Sequence, residues 1–400
     1  MASPHARALR ILFVCLVCIG IGQSMLFSIL PPAARAIGIS PFQVSTIFAT
    51  SASIWVFVSP WWGRRSDVRG RRPIILSGLL GYALSMFSLA VVIEIGRHEL
   101  LPAHIIYPML IVGRSLFALL GSGTGPAAQA YVADRTSRAD RTAGVALVSA
   151  AMGVGETIGP GIGAALAALA LLAPLYLSAG LAVLSSFMIH RFLPEDGPPH
   201  EHTHALPPRL SIRDGRVLPF VAVQAALQAV RATTTITLAF FLQDTLGLSP
   251  RQTVQYSGIG FVTLAVAGLI AQLVLVQRLR PTARRMLRTG VPLALAAFVV
   301  LALAHSYPAY LTALLLLGIG LGLMRPGSAA GASLSVEANE QGAAAGLVNG
   351  VAVLGNVFGP MLGTTLYALS PIGPYVLNAA IMSAAWGLLF ASPRLRNLRQ

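Results

Sequence analysis

Three ionisable side chains lie deep within long apolar stretches of the sequence, namely Arg114, Glu156 and Arg231. A charge at the centre of a bilayer costs at least ~2.5 kcal/mol on insertion scales, so such residues tend to face one another or a water-filled cavity. A carboxyl group in that setting can take up and release a proton, and a nearby arginine influences when it does so. We predict that Glu156 exchanges a proton and that Arg114 tunes the exchange.

The three residues are expected at a similar depth. With about 1.5 Å of rise per residue, Arg114 lies roughly 14 Å below the outer end of its apolar stretch, and the other two lie roughly 17 Å below theirs. Arg114 and Glu156 are therefore expected to form an ion pair. Such a pair could be the proton-exchange site, or a permanent bridge between two helices.

A polar stripe along one predicted helix indicates a cavity wall. Its four members, Gln224, Gln228, Arg231 and Thr235, are spaced i, i+4, i+7 and i+11 and so share one helical face. The predicted substrate-binding residues are Gln23, Ser28, Gln224, Gln228, Arg231, Thr235, Asn349 and Asn356. For each of them taken singly, a hydrogen bond between helices is the alternative. Two arginines and one glutamate would favour an anionic, zwitterionic or metal-chelating substrate.

The elements that carry these residues are membrane spans. Residues are 55% hydrophobic and 10% charged, and the mean hydropathy is +0.74, which excludes a soluble protein of 400 residues. Spans of roughly 20 apolar residues predict an all-α membrane protein with twelve transmembrane helices. These are residues 9–31, 44–62, 74–93, 105–131, 143–167, 171–190, 217–243, 252–276, 288–305, 308–330, 342–366 and 373–392.

The distribution of basic residues sets the orientation. All 28 are arginines, against 13 acidic residues. With both termini inside, 23 of these arginines fall on the cytoplasmic side and three on the outer side. This asymmetry follows the positive-inside rule, so it accounts for the net charge of +15 without nucleic acid as a partner.

A proline-rich stretch divides the chain into two halves. We predict an N-terminal six-helix bundle at 1–192, a cytoplasmic linker at 193–216 and a C-terminal six-helix bundle at 217–400. The segment GETIGPGIG at 155–163 recurs as GNVFGPMLG at 355–363, and Pro126 recurs as Pro326, which indicates two pseudo-symmetric units. Predicted helix-packing residues in the repeat are Gly155, Gly159, Pro160, Gly163, Gly355, Gly359 and Pro360.

The loop between the second and third spans has the most specific pattern in the sequence. It reads GRRSDVRGRRP and places Gly63, Asp67, Gly70, Arg71 and Arg72 in a G-x-x-x-D-x-x-G-R-R arrangement. The glycines permit a tight reversal between antiparallel spans, and the arginines hold it at the inner face. A basic loop that merely sets topology explains the arginines but not the spaced glycines and aspartate.

This loop, in a chain with six spans in each half, resembles the signature of the major facilitator superfamily. The segments from Gly113 to Asp134 and from Arg135 to Gly163 resemble the tetracycline and multidrug proton-antiporter branch. The resemblance implies the major facilitator fold. It also implies a gate in which Asp67 faces the N-terminal end of the eleventh helix and Arg71 pairs with Asp134. The implied gating residues are Gly63, Asp67, Gly70, Arg71, Arg72 and Asp134.

The same resemblance bears on proton coupling and on the direction of transport. Arg114 matches the arginine of the family's helix 4 motif, to which a role in proton coupling is ascribed. Two positions depart from that pattern: Ala118 replaces a glycine, and Ile19 stands where many relatives carry an acid. The run of glycines around Pro160 resembles a motif associated with exporters, although plain helix packing is its alternative.

The sequence therefore predicts a proton-coupled efflux transporter that exports small amphipathic drugs or related compounds by alternating access. The alternative is an exporter of a native metabolite such as a siderophore or organic anion. An intramembrane enzyme or a receptor is disfavoured, because no catalytic or metal-ligand pattern appears in the spans. We expect a monomer in the bacterial inner membrane with both termini cytoplasmic, and no cofactor or metal. The histidines of HEHTH at 200–204 are interpreted as linker, and Cys15 and Cys18 as small apolar side chains.

Overall fold

The structure is a computed structural model. It describes residues 4–136, 141–194, 210–211, 214–337 and 340–391. Within these ranges, the side chains of residues 4–6, 141–143, 145–146, 342, 345, 349, 352–353 and 356 are not described. The HEHTH segment, the chain's last nine residues and Asp140 lie outside the described part.

The described residues form helices joined by short connections. In chain order these are α1 (Pro4–Arg35), α2 (Pro41–Arg69), α3 (Arg71–Arg97), α4 (Ala103–Asp134), α5 (Arg141–Ala167), α6 (Ala173–Phe192), α7 (Leu218–Leu246), α8 (Pro250–Leu279), α9 (Ala283–Leu303), α10 (Tyr307–Leu334), α11 (Gln341–Leu369) and α12 (Gly373–Ala391). Ten of these described helices are long and apolar enough to cross a membrane. The predicted all-α membrane fold is confirmed, and the helices extend beyond the predicted spans at many ends because polar end residues continue them.

Two helices begin with the same local device. Ser40 and Gln43 form a capping box at the start of α2, in which the Ser40 side chain accepts from the Gln43 backbone N–H (3.2 Å) and the Gln43 side chain accepts from the Ser40 N–H (2.8 Å). Ser249 and Gln252 repeat both bonds at the start of α8, at 3.0 and 3.3 Å. A proline follows each serine, at a position where a helix tolerates a missing N–H. The S-P-x-Q repeat is thus a further trace of the internal duplication.

The connection between α2 and α3 is a single residue, Gly70, with φ of +91°. An L side chain rarely adopts this conformation, so the second glycine of the loop motif is required by the reversal itself. Gly63, in contrast, lies within α2, and a Cβ there would meet nothing within 4 Å. The predicted role of Gly63 in the turn is therefore wrong.

Helix α4 is interrupted near its inner end, between Ala103–Gly121 and Thr124–Asp134. Pro126 lacks the N–H that would otherwise bond the carbonyl of Ser122. The hydroxyl of Ser59 on α2 donates to that carbonyl instead, at 3.1 Å. The interruption in α4 is therefore satisfied by the neighbouring helix.

The chain separates into two compact units. The first comprises Met1–His202 and Ser249–Gly258, and the second comprises Thr203–Leu248 and Ile259–Gln400. The division in the central loop falls within the predicted linker. The segment Ser249–Gly258, which the sequence placed in the C-terminal bundle, groups with the first unit because Gly258 packs on α5: a Cβ there would lie 2.7 Å from the carbonyl oxygen of Pro160.

In each unit a glycine helix packs closely on another helix. In the first, a Cβ on Gly155 would lie 2.3 Å from the carbonyl oxygen of Val17, so α5 lies against the backbone of α1. In the second, a Cβ on Gly355 would lie 2.9 Å from the backbone nitrogen of Ala229, so α11 lies against α7 in the same way. The repeated glycines therefore allow two helices to pack closely. Helix packing was the alternative to an exporter motif in the sequence analysis.

Candidate transport site

Arg114 on α4 is a buried cation that donates a hydrogen bond to a neutral partner. Its side chain reaches α1, where Nη2 donates to Oε1 of Gln23 at 3.1 Å, and the residue is only 7% exposed. The rings of Phe48 and Phe117 flank the guanidinium, with its Cζ 5.7 and 5.5 Å from their centroids. Aromatic faces stabilise a cation without carrying a formal charge.

The other nitrogens of Arg114 are not used within the part of the chain that the structure describes. Nε and Nη1 are both buried and have no hydrogen-bond partner among those residues. Buried donors are almost always paired, so two unpaired donors on one guanidinium call for an acceptor. The described residues therefore leave two N–H donors of Arg114 able to bond further acceptor oxygens.

The expected ion pair between Arg114 and Glu156 is wrong. Across the described ranges, Arg114 donates to Gln23 and forms no ion pair with Glu156. The physical reason is the close contact of α5 with α1: the α5 face that carries Gly155 is turned toward α1, and the Glu156 side chain leaves the helix in another direction. Their depths nevertheless agree, because Glu156 and Arg114 lie beside Gly20 and Gln23, about one turn apart on α1.

Glu156 is exposed, and no hydrogen bond or ion pair is formed by its carboxylate within the described residues. It lies one helical turn before Pro160 and two turns before Ala164, so the three residues share a face of α5. That face packs against Gly258 at Pro160 and Ala164, and Glu156 continues it toward the N-terminal end of the helix. The carboxylate is therefore exposed at mid-helix.

Part of the polar stripe of α7 packs against neighbouring helices. Gln224 is 5% exposed and accepts a 2.8 Å hydrogen bond from Ser328 on α10, and Gln228 lies against Gly355 of α11. Arg231 and Thr235 are partly exposed, and the Thr235 hydroxyl donates to the carbonyl of Arg231 at 2.8 Å. Gln228 is also partly exposed, so Gln224 is the buried member of the four.

Three other predicted substrate-binding residues have different outcomes. Ser28 is fully buried, and its hydroxyl donates to the carbonyl of Met25 one turn earlier, so its prediction as a cavity-lining residue is wrong in this conformation. Asn349 and Asn356 are on α11, but their side chains lie outside the described part. Their predicted role stays a prediction.

The loop motif forms a network where α2 ends, α3 begins and α4 ends. Arg71 Nε donates to Oδ2 of Asp134 at 3.2 Å, and its Nη1 donates to Ser66 at 2.8 Å and to Asp67. The contact expected between Arg71 and Asp134 is therefore present. Arg72 donates to the carbonyl of His190 at the end of α6, which ties α3 to α6.

Sequence reasoning missed the aromatic shell of Arg114. Phe48, Tyr82 and Phe117 come from three helices, and the Tyr82 and Phe117 rings pack edge to face with centroids 4.8 Å apart. It also missed Asn378, a buried residue of α12 that donates to the Thr234 hydroxyl on α7 at 3.2 Å. A polar residue in an otherwise apolar span was the available signal for Asn378. Nothing in the spacing distinguishes the aromatic shell from ordinary lipid-facing or core rings.

No cluster of three metal-ligating side chains occurs in the described ranges. Cys15 and Cys18 are free thiols, and the buried Cys15 thiol lies 3.7 Å from the carbonyl of Ser185.

Comparison with known proteins agrees with this arrangement. The family model of the Major Facilitator Superfamily matches residues 12–294 and 274–398. Multidrug resistance protein 2 of Bacillus subtilis is 26% identical over 94% of this chain and 93% of its own length. Tetracycline resistance protein, class C, of Escherichia coli is 28% identical over 92% and 91%.

Solved structures share the fold. A bacterial homologue of the human lysosomal transporter Spinster, in an inward-facing and occupied conformation, aligns with a TM-score of 0.77 and 14% identity over 99% of this chain and 98% of its own. The human organic anion transporter MFSD10 aligns with a TM-score of 0.66 and 18% identity over 97% and 100%. The chain is thus a non-enzymatic, multi-pass membrane transporter, and it belongs to the Major Facilitator Superfamily, in the branch of the tetracycline and multidrug resistance proteins.

Proposed function

We propose that this protein is a proton-coupled exporter of small amphipathic compounds, which works by alternating access in a bacterial inner membrane. The relatives named for multidrug and tetracycline resistance support the export of drugs. We further propose that both termini are cytoplasmic and that the protein acts as a monomer. The arginine asymmetry of the sequence supports this orientation.

The observation that carries proton coupling is the state of Glu156. It is a carboxylate in the middle of a membrane helix, exposed, and without a hydrogen-bond or ion-pair partner among the described residues. A carboxylate locked in an ion pair would hold its charge through the cycle, whereas an accessible one can be protonated on one side and deprotonated on the other. Glu156 is therefore the proposed proton carrier, and Arg114 acts on it through the field across α1 and not through contact.

The proposed gate is the network around Arg71. Asp134 ends α4, Asp67 lies near the end of α2, and Arg71 begins α3, so this one side chain holds three helix ends together. We propose that Asp67, Arg71, Arg72 and Asp134 break and re-form these contacts during transport, and that Gly70 supplies the tight turn. Helix packing by the repeated glycines supports the rigidity that each unit needs.

Everted membrane vesicles test this function. When respiration has acidified the vesicle lumen, addition of ethidium or tetracycline at the outer face should discharge the pH gradient, because each substrate imported is exchanged for protons. Vesicles from cells with the Glu156→Gln variant should show no discharge. The matched control is Glu94→Gln, at the outer end of α3 in an exposed pair with Arg97 at 3.2 Å.

The two outcomes separate clearly. Discharge by wild type and Glu94→Gln but not by Glu156→Gln supports the mechanism. Unchanged discharge by Glu156→Gln contradicts it, and a wild type that transports neither compound nor moves protons contradicts export of these drugs.

A second candidate is an exporter of a native metabolite such as a siderophore or an organic anion. The observation that favours it is Arg114, a buried cation with two unpaired N–H donors. The human organic anion transporter MFSD10 shares this fold. Secretion by a deletion strain, compared with its drug resistance, distinguishes this candidate from the first.

A further inference from the structure

Within the described residues of the first unit, no carboxylate pairs with the buried guanidinium of Arg114. Asp67 and Asp134 pair with Arg71, Glu94 pairs with Arg97, and neither Glu99 nor Glu156 forms an ion pair with a described residue. Removal of an ion from water costs several kcal/mol even after the protein relaxes. A neutral amide and two rings offset only part of this cost, so the site favours an anion.

The donors and their surroundings define the class of anion. A guanidinium is planar and matches the planar oxygen pair of a carboxylate, to which charge-assisted hydrogen bonds are the strongest. The rings of Phe48 and Phe117 lie beside the guanidinium, so a group that reaches its unpaired donors has apolar surroundings. Nη2 of Arg114 donates to Gln23 at 3.1 Å, and Nε and Nη1 of Arg114 have no partner among the described residues.

We propose that Arg114, Gln23, Phe48 and Phe117 form a binding subsite for the carboxylate of an aromatic or amphipathic organic acid. The proposal rests on the proposed export function and narrows it: preferred substrates carry a carboxylate, and simple organic cations do not use this subsite.

Binding to the purified, full-length protein tests the subsite independently of transport. The probes are 2-naphthoate, its neutral analogue 2-naphthamide and the cation 2-naphthylmethylammonium, measured by calorimetry and by thermal shift at constant ionic strength. We expect naphthoate to bind about ten- to a hundredfold more tightly than naphthamide, the range of one charge-assisted hydrogen bond. The ammonium compound should bind more weakly than both.

Two variants separate binding from folding. Gln23→Glu places a carboxylate beside Arg114, so it should raise the melting temperature of the unliganded protein and remove the preference for naphthoate over naphthamide. Arg114→Gln should also remove that preference. Arg97→Gln deletes a partly exposed arginine elsewhere in the same unit and should bind naphthoate as wild type does.

The outcomes decide between a ligand site and a structural cation. If Gln23→Glu stabilises the protein but naphthoate still binds with its preference intact, Arg114 is only structural and the proposal is overturned. If chloride or phosphate at the same concentration stabilises the protein as much as naphthoate does, the subsite is not specific for carboxylates and the proposal is overturned. If naphthoate binds as expected while no drug is exported from vesicles, the subsite stands and the proposed function fails.

Discussion

Nη2 of Arg114 donates a 3.1 Å hydrogen bond to Oε1 of Gln23, and this contact joins α4 to α1 at mid-helix. Because the acceptor is neutral, the guanidinium keeps its full charge, and the exposed carboxylate of Glu156 is not consumed by an ion pair. The two groups therefore do not form the ion-pair bridge between α4 and α5 that was the alternative to a proton-exchange site.

Loss of the Gln23 acceptor should destabilise the first unit. In a Gln23→Leu variant a third buried donor of Arg114 loses its partner, at a cost of about 1–3 kcal/mol. We expect a lower melting temperature for the purified protein. Gln129→Leu, at an exposed position of α4, is the control and should stay within about 0.5 kcal/mol of wild type. Equal stability of the two variants would show that the Gln23 contact contributes nothing.

The glycine repeat predicts position-specific sensitivity. An alanine Cβ at Gly159 would lie 2.0 Å from the Ser24 hydroxyl and 2.4 Å from the carbonyl oxygen of Ile21, so α1 and α5 must move apart. Overpacking of this kind costs roughly 1–3 kcal/mol. Gly153→Ala is the matched control, because nothing lies within 4 Å of its Cβ position. Thermal unfolding should separate the two variants, and a Gly159→Ala protein as stable as the control would refute the close approach.

Arg71 and Asp134 should be energetically coupled. A double-mutant cycle with Arg71→Gln and Asp134→Asn is expected to give a coupling of about 0.5–1 kcal/mol in unfolding. Each single variant should also slow drug transport while substrate binding persists, because the network is proposed to act as a gate. Arg64→Gln, on the exposed side of α2, provides the control. Additive effects on stability together with wild-type transport rates would remove these residues from the gate.

The contact between Arg216 and Glu340 predicts a pH effect in the second unit. Arg216 Nη1 and Nη2 donate to the two carboxylate oxygens of Glu340 at 2.7 and 2.9 Å, and these bonds hold the pKa of Glu340 below its ordinary value. The ionised form is thus favoured in the folded state. Its stabilisation is fully present above the ordinary glutamate pKa of about 4.3 and is lost as the pH falls through the lower folded value.

Thermal unfolding at pH 7 and pH 3.5 checks this sign. Wild type should lose more stability between the two values than Glu340→Gln does, by a small amount because the pair is partly exposed, and added salt should reduce the difference. Identical pH profiles for the two proteins would mean that the pair adds nothing to folding.

The fold was largely predictable because its causes are local or periodic. Apolar length specified the spans, arginine asymmetry specified their proposed orientation, and the recurrence of Gly155 as Gly355 indicated the internal repeat. Helix ends were less predictable, since polar residues such as Arg69 and Arg97 continue helices past the apolar core. The break in α4 depends on Ser59 from another helix, which no local pattern contains.

The residues of the candidate site could be identified from the sequence, but their hydrogen-bond and ion-pair partners could not. Arg114, Glu156 and Gln23 could be found because polar groups in apolar spans are rare. Their partners depend on helix rotation, and the glycine contact between α1 and α5 fixes that rotation through backbone atoms that have no signature in side-chain spacing. Ser28 illustrates the same limit: a hydroxyl can bond its own helix, as with Met25, and then requires no cavity.

Substrate exchange by Glu156→Gln proteoliposomes tests the central claim most directly. With no pH gradient, counterflow of a transported drug measures alternating access alone, and an imposed gradient then measures coupling. We expect the Glu156→Gln protein to show counterflow at the wild-type rate that the pH gradient does not accelerate. The gradient should accelerate transport by wild type and by Glu94→Gln. Gradient-driven transport by Glu156→Gln at the wild-type rate would contradict it.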